Sequence, residues 1–212
     1  MRATRAAPTA SAADLPYPFD MTHRLVAVLA LALAGLLAAC AGEPVASFDP
    51  TGPCIADGSA PGAYPELEAL IPTTYEDRGP DTLDSGRNCS SENLGTLATA
   101  GIDEIHYAGG TWGFGAERAA ALVVFEAPGL TAESIADFYA SSARAANRTQ
   151  VTAESSPTVA GRPGRRLDTK TGERLQTVMV WPAAEPDRVN VVITNDLPDP
   201  KIQAAVDAFG DG

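Results

Sequence analysis

A run of apolar residues, Leu25 to Ala39, stands close to the N-terminus and ends at Cys40. It is 15 residues long, and a membrane-spanning helix needs about 20. It has no polar face, so it does not suit a helix at the edge of a folded core. His23 and Arg24 precede it, and the small residues Ala38 and Ala39 close it. A short basic stretch, an apolar stretch and a small-residue boundary are the parts of a secretory signal. Met21-Thr22-His23-Arg24 makes a normal opening for one, whereas residues 1–20 carry Asp14 and Asp20. Translation is therefore expected to start at Met21, with 1–20 a misassigned upstream extension and 21–39 the signal. Residues 1–39 are therefore not expected to belong to the folded domain.

Leu37-Ala38-Ala39-Cys40 resembles a lipobox, the signal of bacterial lipoproteins. The resemblance implies that Cys40 becomes the first residue of the mature chain and is acylated on its sulfur, as with palmitate. It implies export and a lipid anchor on the extracytoplasmic side of a membrane in the cell envelope.

The chain from Cys40 to Gly212 has 173 residues, enough for one domain with a sizeable core. It carries 12 basic and 25 acidic residues, a net charge of −13. Nucleic acid is an unsuitable partner for such a surface, because phosphates require clustered Lys and Arg. Anionic lipid would be repelled too, which leaves anchoring to the acyl chains. Once Cys40 is set aside, Cys54 and Cys89 remain, an even pair in an oxidising compartment. A bridge between them is expected and would contribute on the order of 3–4 kcal/mol by loop closure.

Residues 40–63 read as a lipidated, flexible tether, with Pro44, Pro50, Pro53, Pro61 and four glycines. The domain is expected over 64–212. Pro65 to Ile71 and Ser90 to Ala100 are helix candidates. Thr73 to Asn88 is polar and turn-rich. Ile102–Phe114 and Ala119–Ala127 form a hairpin of strands, the second the clearest in the chain. Thr131 caps a helix running to Ala146, with Ile135, Phe138, Tyr139 and Ala143 on its buried face. Three strands follow as a meander: Gln150–Val159, broken near Pro157, then Arg174–Trp181 and Arg188–Thr194. A last helix opens at Asp199-Pro200 and buries Ile202, Ala205, Val206 and Phe209. This pattern predicts an α+β fold, a mainly antiparallel sheet covered by helices, in a single domain after the signal and linker. Val159-Ala160-Gly161-Arg162-Pro163-Gly164, followed by strands and a helix, resembles the second half of Mog1/PsbP-like domains. That resemblance is confined to residues 159–212 and implies a binding or assembly role.

Catalytic motifs are sparse. His106 is the single histidine after Cys40, and no Gly-x-Ser-x-Gly elbow accompanies it. No zinc set, EF-hand spacing or phosphate loop is present in the sequence, so neither metal nor cofactor is expected. Arg162, Arg165 and Arg166 are the one basic cluster and are expected to pair with Asp168 and its acidic neighbours. The segment from Tyr107 to Gly115 interleaves aromatics with glycines. Tyr107, Trp112 and Phe114 are the candidate binding residues, because such glycines weaken a strand and imply a compensating gain; the other reading is a twisted, bulged hairpin whose rings enter the core. The function expected is that of a non-catalytic envelope lipoprotein that binds a small ligand or a partner protein. The alternative is an envelope hydrolase that uses acidic residues.

Overall fold

The computed structural model describes residues 48–210. The Met21 start, the signal and Cys40 lie outside the described residues.

Fifteen elements follow in chain order. They are β1 (Gly58–Ala60), α1 (Pro65–Glu68), β2 (Thr82–Asn88), α2 (Ser91–Leu94), α3 (Thr96–Thr99), β3 (Ile105–Gly113), β4 (Ala119–Glu126) and α4 (Ala132–Ala145). Then come β5 (Thr149–Ser155), β6 (Thr158–Val159), β7 (Arg162–Pro163), β8 (Arg165–Thr171), β9 (Arg174–Pro182), β10 (Arg188–Asn195) and α5 (Asp199–Ala208). Eight strands make one sheet in the order β1-β2-β3-β4-β10-β9-β8-β5, and each pairing is antiparallel. The two short strands β6 and β7 pair only with each other. The fold is therefore α+β, an antiparallel sheet with helices on it, in one domain.

Both faces of the sheet are covered. On one side α1 and α5 bring Leu67, Ile202, Ala205 and Val206 against Trp112, Trp181, Met179 and Val192. On the other, α2, α3 and α4 bring Leu94, Leu97, Ile135, Ala136 and Ala140 against Leu167, Val178, Val180, Val189 and Val191. This explains the dense apolar stretch of β10, which lies between β4 and β9 and buries Val189, Val191 and Val192 alike. Each such side chain contributes about 1.5–3 kcal/mol on leaving water.

Helix α4 starts as expected. Thr131 accepts from the Ser134 N–H (3.1 Å), and the Ser134 hydroxyl accepts from the Thr131 N–H (3.1 Å), a reciprocal cap. Its buried face differs from the expected stripe. Ile135, Ala136 and Ala140 go deepest, with Phe138, Tyr139 and Ala143 half-buried around them. A helix lying on a sheet needs its smallest residues where the backbones come closest, and the aromatics then flank the contact.

Three further differences have local causes. Ser90–Ala100 is two short helices, because Gly95 takes a positive φ of 51° between them. β8 was not expected; Leu167 is its one large apolar residue among Arg166, Asp168 and Lys170. It inserts between β5 and β9, so the meander has four strands. The break expected near Pro157 is present: Ser156-Pro157 separates β5 from β6.

The third difference concerns the upstream segment. Residues 48–63, expected as free tether, are built onto the sheet. β1 pairs with β2 in the register Gly58↔Arg87, Ser59↔Gly86 and Ala60↔Ser85. Gly86 permits the approach, since a Cβ there would lie 2.3 Å from the Gly58 carbonyl oxygen. The Phe48 ring rests on Gly58 in the same way, where a Cβ would meet it at 2.5 Å. The polar segment 73–88 supplied no apolar alternation to signal β2, yet β2 carries this whole edge of the sheet.

Candidate functional site

Arg87 is the buried charge at that edge. It is 5% exposed and projects from β2 toward the upstream segment. Its Nη1 donates to the Gly52 carbonyl (2.7 Å), and its Nη2 donates to the carbonyls of Asp49 (2.9 Å) and Pro53 (3.2 Å). Glu104 neutralises it at 3.2 Å. The forked guanidinium gathers three carbonyls that no strand satisfies.

The expected Cys54–Cys89 bridge is present, with a Cα separation of 6.2 Å, inside the usual window for a disulfide of about 4.4–6.8 Å. Asp57 organises the turn beside it. It accepts from the Cys89 and Ser90 N–H groups (2.6 and 2.8 Å), from the Ser90 hydroxyl and from Asn93 Nδ2 (2.6 Å). Burial pushes its pKa up, but the bonds from Ser90, Cys89 and Asn93 together hold the carboxyl below its ordinary value. The ligand atoms of Cys54, Asp57 and Cys89 lie within 4.8 Å of one another. With the sulfurs bonded and the carboxylate occupied by four donors, this group is a staple, and it offers no thiolate to a metal.

The three candidate binding residues do not form a common surface. Trp112 is 0% exposed and donates its indole N–H to the Arg78 carbonyl (3.0 Å). Tyr107 lies five residues earlier, an odd spacing that puts it on the opposite face of β3, against Phe125. Phe114 is half-buried and shares Tyr75 with Trp112, both rings meeting it edge-on at 5.6 and 5.8 Å. The compensation for the strand glycines is packing: a Cβ on Gly110 would come within 2.9 Å of the Trp112 ring and 3.0 Å of Ile71. Burial, reinforced by Glu76, pushes the Tyr75 hydroxyl up to about 12. Tyr75 donates that proton to the Lys201 carbonyl (3.0 Å) and so ties this aromatic group to α5.

His106 is half-buried and stacks on Tyr64, with ring centroids 4.4 Å apart. Its Nε2 lies 2.9 Å from the same Glu104 oxygen that pairs with Arg87. A cleft of about 550 Å³ opens beside it, lined by residues 101–104, His106 and 126–128. A carboxylate orients the imidazole, but the lining contains no Ser, Thr or Cys to act as nucleophile. Of its other carboxylates, Glu126 is held by Arg188 and Asp103 is exposed.

The basic cluster is dispersed among separate partners. Arg162 donates to the Pro182 carbonyl (3.1 Å), Arg165 pairs with Glu133 (2.6 Å), and Arg166 pairs with Asp168 (2.9 Å) and Asp199 (2.8 Å). Arg165 and Arg188 also line a second cleft of about 660 Å³ between the start of α4, the turn before β8 and the β9–β10 connection. Its walls include Leu130, Pro163, Pro182, Ala183 and Pro186. The Thr131 and Ser134 amides at the start of α4 are used by the helix's own cap, and both arginines face acids. The cleft is thus an apolar groove with charges of both signs at its rim. Between α4 and the sheet, by contrast, the free space is about 10 Å³, no more than one water needs.

Sequence reasoning found the cysteines and did not find Arg87, Asp57 or Glu104 as a connected group. Asp57 three residues after Cys54 and Arg87 two before Cys89 were visible, but their partners are backbone groups. No family model matches the chain, and no curated protein matches it either.

Proposed function

We propose that this chain is an exported envelope lipoprotein, anchored through Cys40, whose domain binds a partner protein at its surface and performs no chemistry. The disulfide is the observation that carries the reading. It staples the segment immediately downstream of the lipobox-like signal, and such bonds belong to oxidising compartments. The filled space between α4 and the sheet favours a partner at the surface over a small ligand in the interior. The apolar groove between α4 and the β9–β10 connection is the contact surface assigned to that partner. The hydrolase alternative is less well supported, because Glu104, Glu126 and Glu133 at the clefts are paired with Arg87, Arg188 and Arg165.

Two experiments test this. Cys40→Ala should move the protein from the membrane fraction to the soluble extracytoplasmic fraction. A photo-crosslinking residue at Ala184, in the groove, should give one discrete adduct in cells, whereas one at Gln150 on the far edge strand should not. A membrane-bound Cys40→Ala protein would refute the anchor, and equal adducts at both positions would refute the groove.

A further inference from the structure

The chain leaves the fold at a fixed place. Phe48 is packed on Gly58, its ring lies 5.8 Å under the Arg87 guanidinium, and Arg87 holds the carbonyls of residues 49, 52 and 53. From there the disulfide and Asp57 fix the loop 54–57 on the same edge. Ile55 sits at the tip of this loop. It is 83% exposed, well above the other exposed large hydrophobics, Leu175 at 54% and Leu70 at 39%. Pro53 and Ala56 beside it are also exposed. The segment 49–57, held by a disulfide and by seven hydrogen bonds through Arg87 and Asp57, has no folding reason to present an isoleucine to water.

Cys40 lies eight residues before Phe48. Fully extended, eight residues reach at most about 29 Å. Resting on the lipid anchoring proposed above, this short connection keeps the β1 edge nearest the bilayer. We propose that this edge is the membrane-facing surface of the domain and that Ile55 enters the lipid interface there. The rigid loop loses little freedom on docking, and the anchor supplies a high local concentration of lipid. Asp49 and Asp57 flank the loop and both remain ionised under ordinary conditions, since Thr51 and the bonds at Asp57 hold their carboxyls low. The surface therefore fits zwitterionic lipid and is repelled by an anionic one.

The native tryptophans, Trp112 and Trp181, are buried and serve as an internal background. Ile55→Trp and Leu175→Trp each add one indole at an exposed position. Leu175 begins β9, which is five strands from β1 in the sheet, about 24 Å away at normal strand spacing. Full-length lipidated protein is reconstituted into vesicles of brominated phosphatidylcholine, and flotation is scored alongside fluorescence. The added emission of Ile55→Trp should fall roughly twofold, as for a side chain at interfacial depth, with Leu175→Trp and wild type unchanged. Phosphatidylglycerol at half the lipid should weaken the quenching. A floating protein whose Ile55→Trp is unquenched overturns this proposal and leaves the anchor standing. Equal quenching at both positions also overturns it. Protein that does not float overturns the anchor and this proposal with it.

Discussion

Arg87→Met removes the guanidinium and keeps the length of its apolar stem. Arg87 is 5% exposed and serves three carbonyls and Glu104. Removing one member of a buried ion pair costs about 3–5 kcal/mol, most of it from groups left without partners. Here Glu104 keeps a third of its side chain in water and the carbonyls lie at a sheet edge, so water reaches them once the segment lifts. The lower end, about 3 kcal/mol, is expected, which corresponds to a fall in Tm of roughly 6–12 °C for a domain of this size. The disulfide confines the lifted chain to residues before Cys54. Limited proteolysis should therefore cut the variant within 48–53, where wild type resists. Arg87→Lys should rescue less than half of the loss, because a point charge cannot address three carbonyls at once. A variant that melts within about 2 °C of wild type and resists cleavage at 48–53 would refute the account of this edge.

Replacing both cysteines by serine should cost about 4 kcal/mol, from a sequence separation of 35; guanidinium titration of oxidised wild type against the variant measures it. Asp57→Asn should destabilise by about 1–3 kcal/mol at neutral pH. Because the folded carboxyl lies below its ordinary 3.8, that difference should persist above 3.8 and vanish as pH falls through the folded value; melts from about pH 2 to about pH 7, on both sides of the ordinary value, read it. Trp112→Ala should cost about 3–5 kcal/mol, as a core deletion does, while any partner bound at the groove keeps its affinity for the protein that remains folded.

The fold class was legible because the strongest elements are locally consistent. Val189 to Ile193, the alternation from Thr177 to Trp181, and the Thr131 cap each point to one structure. What was not legible lies where polar residues make strands. Ser85 and Arg87 in β2, and Arg166 and Asp168 in β8, take their stability from cross-strand and side-chain partners far along the chain. Such partners leave no periodic trace in a single sequence. The aromatic segment was open to two readings for a related reason. Glycines at 109 and 110 read equally as a strand opened for a ligand or as room for a neighbouring ring, and the Trp112 indole fills that room. The odd spacing of Tyr107 and Trp112 was the one available sign that they could not share a surface. The upstream segment read as tether from its prolines and glycines, although Gly58 and Gly86 are there for close approach.

The account stands or falls on the state of Cys40. Mass spectrometry of the N-terminal peptide from membrane-purified protein reads it directly. The account predicts a chain that begins at Cys40, carries acyl groups, and retains an intact Cys54–Cys89 bond. A mature chain beginning at any other residue, or an unmodified Cys40 in protein recovered from the membrane, would contradict it.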